Sequence, residues 1–275
     1  MAVLLGVVVA HSAALGDRRN YPYVAPAKPL AHKGFTVSVW TTTYYQAVTG
    51  DIIEAGAAVE EPEDTVTDLK DDLGLERELA LGIGVLVAHQ SPWWPDVRFD
   101  YYPVEFVGQH VLSKNLRIGD MSFRAGQLVK SRFEAVMLDS TLLYTPLRLG
   151  QKRSPWLILE LGATIRHTEA GLNVRGTGIW RVGSERYDVP FLPMGFLALD
   201  VFPFRYFGLR TEARAITDGT NQWLDLAADF RSWYMKKSVW IGLGARLQKL
   251  DVTQAGEGGL DATILAGQGS LGIRF

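Results

Sequence analysis

Between Arg77 and Gln90 apolar residues occupy every second position, a spacing that no helix face can use. Leu79, Leu81, Ile83, Val85 and Val87 lie on one side, and Glu78, Ala80, Gly82, Gly84 and Ala88 on the other, with Leu86 the one break. Period two makes a strand with faces of opposite character. In a soluble sandwich the apolar face turns inward against a second sheet. In a membrane barrel it meets lipid, while small and charged residues fill a narrow lumen. The glycines and alanines here suit a crowded lumen.

The pattern recurs along the chain. Val97, Phe99 and Tyr101 alternate with Arg98 and Asp100; Leu157 to Ile165 with Glu160 and Arg166; Leu209 and Ala213 with Arg210, Glu212 and Arg214. Leu224, Leu226 and Phe230 alternate with Asp225 and Asp229, and Ile241, Leu243 and Leu247 with Gly242, Gly244 and Arg246. The final stretch GQGSLGIRF puts Leu271, Ile273 and Phe275 on one face. Short links (Ser91 to Pro95, Phe202 to Phe204, Met235 to Ser238) alternate with long ones (Gly50 to Glu76, Phe106 to Lys130, His167 to Tyr187, Asp251 to Asp261). Short periplasmic turns and long external loops are the habit of membrane barrels. The expected fold is all-β: an antiparallel transmembrane β-barrel over residues 34–275 with about ten strands, eight being the competing count. A soluble β-sandwich is the alternative.

Composition removes several classes of function. A net charge of −2 leaves no basic excess to neutralise phosphates, so no nucleic-acid partner is expected. With no cysteine there is no disulfide scaffold, thiolate metal site or thiol nucleophile. No segment reaches the roughly 18 uninterrupted apolar residues of a membrane helix. The run Ala2 to Ala10 has the length of a signal-peptide core, and Ala14-Leu15-Gly16 the small-x-small cleavage pattern, although no Lys or Arg precedes it. A leader over residues 1–16 and a periplasmic lead-in over 17–33 are therefore expected. Trp93, Trp94, Trp156 and Trp240 fall beside short links, where a lipid headgroup interface would favour them.

From about Phe35 onward the chain resembles small, largely uncharacterised outer-membrane β-barrel proteins of proteobacteria. The resemblance rests on DLKDDLGL (Asp68 to Leu75), LDSTLLY (Leu138 to Tyr144), PFLPMGFLALD (Pro190 to Asp200) and the closing GSLGIRF. It implies a bacterial outer-membrane location and no catalytic residues. It also implies that Leu271, Ile273 and Phe275 close the barrel and are read by the barrel-assembly machinery. Outer-membrane lipids and lipopolysaccharide are the other partners expected; oligomeric state stays open.

Charges of both signs collect on the face opposite the apolar one: Arg98, Asp100, Glu160, Arg166, Arg210, Glu212, Arg214, Asp225, Asp229 and Arg246. They could line a passage for ions or small solutes, or pair into a plug. Mixed signs and a bore of eight to ten strands favour the plug, because an unpaired buried charge is very costly. Enzymatic alternatives are thinly supported. His89 is the one histidine of the region 17–275 in an H-x-S arrangement, with Ser91, and His-Glu-x-x-His is absent. His167 with Glu169 is a weak echo of the Asp-His couple of omptin-like proteases. The acidic run Glu60 to Asp72 lacks a calcium-loop pattern and reads as a solvated loop. The expectation is a non-enzymatic barrel, structural or a narrow channel for small solutes, without metal or cofactor. A lipid or peptide hydrolase, or a surface-binding module using the long loops, is the alternative.

Overall fold

The computed structural model describes residues 35–54, 66–89, 94–118, 121–151, 154–177, 182–204, 206–217, 222–234, 238–254 and 258–275. The leader and lead-in expected over residues 1–33 lie outside them. The strands are β1 (Phe35–Glu54), β2 (Val66–Asp68), β3 (Glu78–His89), β4 (Asp96–Val111), β5 (Leu116–Ile118), β6 (Met121–Phe123), β7 (Leu128–Gln151), β8 (Ser154–Gly176), β9 (Gly183–Phe204), β10 (Phe207–Thr217), β11 (Gln222–Tyr234), β12 (Val239–Gln254) and β13 (Gly258–Arg274). Among the described residues ten of these form one antiparallel sheet that closes on itself. β13 pairs with β1 from Ser38↔Arg274 to Glu54↔Gly258. The strand β2 adds to the upper end of β1, and β5 with β6 forms a small separate hairpin. The count is ten rather than eight because the less regular segments near Phe35 and Val189 are full strands, β1 and β9.

Alternation assigns the faces directly. Leu81, Ile83, Phe99, Leu161, Ile165, Leu226, Phe230, Ile241, Leu243, Leu265 and Leu271 point outward and are exposed. Their neighbours in sequence point into the bore and are buried or half-buried. A closed sheet with an apolar exterior leaves no main-chain edge to lipid, which is what a bilayer demands of strands.

Three of the four connectors read as long loops are largely strand; of the fourth, Gly50 to Glu76, β1 covers the start and β2 with the following turn the end, and residues 55–65 lie outside the described residues. β8 runs to Gly176 and β9 starts at Gly183; β12 runs to Gln254 and β13 starts at Gly258; β4 and β7 cover much of Phe106 to Lys130. The alternation was hidden there because the apolar set changes face. In β8, Leu161, Ala163 and Ile165 face out within the belt, whereas Ala170, Leu172 and Val174 face in above it, beneath outward Glu169, Asn173 and Arg175. In β7 the outward Leu142, Leu138 and Val136 give way to inward Phe133 and Val129, with Glu134, Arg132 and Lys130 outside. The barrel therefore continues past the bilayer on the side opposite the short turns, with an interior like that of a soluble protein. A β-bulge that leaves Phe191 at φ 53° sits at this boundary between β8 and β9.

Candidate functional site

The lumen is the place where chemistry-bearing residues converge, and it is built in layers. At the short-turn end, arginines stand over indole rings: Arg231 lies 4.4 Å from the Trp240 centroid, Arg274 4.8 Å from Trp233 and Arg98 5.1 Å from Trp40. Two glycines make room for these rings. A Cβ at Gly84 would come within 2.1 Å of Trp40, and one at Gly272 within 2.3 Å of Trp240. Trp240 is 4 % exposed inside the bore, so its expected role at the headgroups is corrected. Its even position in β12 shares the inward row with Gly242 and Arg246. Trp156 likewise shares the inward row of β8 with Ile158 and Glu160, and is half-buried rather than lipid-facing. Trp94 precedes β4 and is 72 % exposed; Trp93 lies outside the described residues.

Above this floor lies an ionic layer, and all ten charges selected by alternation point into it. Arg98 reaches across the bore from β4 to Glu212 on β10 at 2.6 Å and also holds Asp100 at 2.7 Å. Arg210 binds Asp200 at 2.6 Å, Glu212 at 2.5 Å and Glu160 at 2.8 Å. Arg166, fully buried, spans from Asp139 on the adjacent strand to Asp225 on β11, both at 2.6 Å. Arg246 meets Asp225 at 2.5 Å, and Arg214 reaches Asp100 across the bore at 3.2 Å. Asp229 takes Arg231 at 3.1 Å and a hydrogen bond from the Gln268 amide.

Register adds partners that charge alone does not single out. Asp139 and Asp200, together with Arg231 and Arg274 rising from the floor, complete the layer, so that Arg98, Arg166, Arg210, Arg214, Arg231, Arg246 and Arg274 stand against Asp100, Asp139, Glu160, Asp200, Glu212, Asp225 and Asp229. Signs balance, and each buried carboxylate is held by at least one guanidinium, the condition for ions to persist in a low dielectric.

An aromatic shelf separates this layer from the next. Tyr102 donates its hydroxyl to Asp139 at 2.7 Å, while its ring lies 3.9 Å from the Arg246 guanidinium. Trp223 covers Arg166 from 5.0 Å. Such side chains join a polar tip to an apolar body. Above them the bore is filled by Val48, Val104, Phe106, Val129, Phe133, Leu172, Leu260 and Ile264. Leu69, Leu73 and Leu75, from the turn after β2, and Leu116, Ile118 and Phe123, from the β5–β6 hairpin, close the top. Cavities of ≈ 30 Å³ and ≈ 10 Å³ lie along the bore. Both are on the scale of single waters.

His167 does not enter this site. It contacts Glu169 at 3.3 Å on the outward face of β8, beside exposed Phe191. Leu271 and Ile273 lie on the outward row of β13, and Phe275, 71 % exposed, follows its end.

No protein-family model matches the chain, and no curated protein does. Solved structures do. The outer-membrane protease OmpT of Escherichia coli aligns with a TM-score of 0.54 at 9% identity, over 88% of this chain and 97% of that one. Neisserial surface protein A aligns at 10% identity over 88% and 97%, TM-score 0.30, and the Pseudomonas putida toluene transporter TodX at 7% over 90% and 91%, TM-score 0.33. At such identities the likeness to OmpT is one of fold, and the other two scores are too low to argue from. The closed ten-stranded sheet with its apolar outward belt is a bacterial outer-membrane β-barrel, and that belt places the protein in the outer membrane.

Proposed function

We propose that the protein is a non-enzymatic, structural outer-membrane barrel with a sealed lumen, rather than a narrow channel for small solutes. The observation that carries this reading is the double filling of the bore, ionic below and apolar above, with water-sized cavities of ≈ 30 Å³ and ≈ 10 Å³ between the layers' side chains. A hydrated ion would have to part the inward row Phe106, Phe133 and Leu172 from Val48, Leu260 and Ile264 of the same packed cluster. The placement of His167 and Glu169 on the outward face of β8, away from the lumen, supports the non-enzymatic reading. Membership of the small proteobacterial family is part of the same proposal. So are its partners: lipid and lipopolysaccharide around the belt, and the assembly machinery at the strand ending in Leu271, Ile273 and Phe275.

Planar-bilayer recording of the native protein tests the reading. No steady conductance is expected. Because the apolar layer is a second seal, the double variant Arg210→Ala, Arg214→Ala should destabilise the barrel without opening a steady pore. A large, stable native conductance would overturn the proposal in favour of a porin.

A further inference from the structure

One ladder of the barrel wall is interrupted at the upper edge of the lipid-facing belt. The ladder joining β3 to β4 runs from Val87↔Val97 to Ile83↔Tyr101 and stops. Continuing that register would set Leu81 opposite Pro103 and Leu79 opposite Glu105. Pro103 has no N–H to give, and the ladder does not resume. The chains meet again only higher up, where Leu75 bridges Gly108 and Glu76 N–H donates to Val107 O at 3.1 Å. On their other sides both strands stay paired, β3 to β1 as far as Gln46↔Glu78 and β4 to β7 throughout. The interruption is thus confined to one seam, flanked outside by exposed Leu79 and Leu81 and inside by the small Ala80 and Gly82. In hydrocarbon, main-chain polar groups without partners are costly, and water is not there to satisfy them.

Behind the seam lies the smaller cavity, ≈ 10 Å³, whose lining includes Pro103, Tyr102, Tyr44, Gln46, Arg246 and Gln248. Gln46 is 3 % exposed, yet its Nε2 donates to nothing. A buried amide with no acceptor, behind a seam whose ladder has come undone, calls for an oxygen acceptor, which the lipid side can bring. The charges nearby are already balanced: Arg246 is held by Asp225. The acceptor that fits is therefore neutral.

We propose that the β3–β4 seam binds a single-chain amphiphile from the outer half of the bilayer. Its neutral oxygen head, an alcohol or ester oxygen, takes the Gln46 amide hydrogen bond in the small cavity. Its hydrocarbon chain lies along the seam over Ala80 and Gly82, between Leu79, Leu81 and Pro103. The cavity is too small to admit more than the head, so binding is lateral and needs no path along the bore.

The test uses the whole protein in phosphatidylcholine nanodiscs and a dodecanol carrying a mid-chain diazirine, with crosslinked residues mapped by mass spectrometry. Saturable labelling concentrated on residues 78–82 and 102–106, displaced by 1-dodecanol better than by dodecanoate, is expected. Gln46→Leu should weaken it about fivefold, the loss that one neutral hydrogen bond carries. Pro103→Ala restores the missing N–H and should reduce labelling by letting the ladder close. In the pair Leu79→Cys with Glu105→Cys, introduced into a chain without cysteine, oxidation should abolish labelling and reduction restore it. Labelling spread evenly over the belt, or indifferent to oxidation and to Gln46→Leu, would overturn the proposal. Equal displacement by dodecanoate would overturn the neutral head, and a single water in the cavity predicts no effect of Gln46→Leu. Conductance is no part of this readout, so its failure is separate from failure of the sealed-lumen reading.

Discussion

The lower and upper halves of this barrel use the same strands with opposite polarity. In the lower half Leu161 and Ile165 of β8 face lipid while Glu160 and Arg166 face the bore; in the upper half Leu172 and Val174 face the bore while Glu169 and Arg175 face water. Backbone pairing is continuous through the change, β7 and β8 remaining in register from Val129↔Gly176 to Tyr144↔Leu161. What differs is the solvent outside. Lipid outside makes the interior the only place for polar groups, and these must then pair with one another. Water outside reverses the preference, and the hydrophobic effect fills the bore. The two layers seal the lumen by different physics, and the difference shows in what each will tolerate.

The largest effect is expected in the ionic layer. Arg166→Leu leaves Asp139 and Asp225 short of their shared partner in a dry bore, and loss of one member of a buried pair costs about 3–5 kcal/mol. Urea titration followed by the shift between heat-modified and folded gel bands would read this. A cost under about 1 kcal/mol would show that water reaches the layer, as it does at exposed pairs. In the apolar layer Leu172→Ala should cost about 3 kcal/mol by removing buried methyls and leaving a cavity. The same titration reads it, and an unchanged midpoint would mean that the upper bore is not packed as a core. On the outer surface the halves diverge again. Ile83→Arg, within the belt, should cost about 2 kcal/mol, whereas Arg132→Leu, above the belt and paired with Glu105 and Glu134 at 2.8 and 2.6 Å, should change stability by less than about 1 kcal/mol. Equal costs for the two would erase the proposed boundary between lipid and water.

Much of the lower half was legible in the chain. Alternation assigned Arg98, Asp100, Arg166, Arg210, Glu212, Arg214 and Asp225 to the inner face because side-chain direction in a strand is fixed by parity alone. Parity would have corrected two tryptophans as well, since Trp240 and Trp156 occupy inward positions next to residues already assigned inward. Proximity to a short link outweighed that signal. The upper half was far less legible. Where the apolar set moves from odd to even residues, as between Ile165 and Ala170, a reader of hydropathy sees the pattern lapse and infers a loop. Leu86 looked like a flaw in its strand, yet it packs from the inward row against Leu143, Phe196 and Ala198.

The sequence by itself determined the strand type, the lipid-facing rows and the presence of a charged interior, because these follow from period two and the chemistry of each side chain. Only the tertiary structure decided which charge meets which. The Arg98–Glu212 and Arg166–Asp225 contacts join strands that are not neighbours in the sheet, and only closure of the barrel brings them within 2.6 Å. It also decided the break at Pro103. One proline removes one donor, but whether the ladder heals around it depends on how β1 and β7 hold the two strands on either side. Distances across a closed bore and the tension between neighbouring ladders are properties of the whole sheet, and no local stretch of sequence contains them.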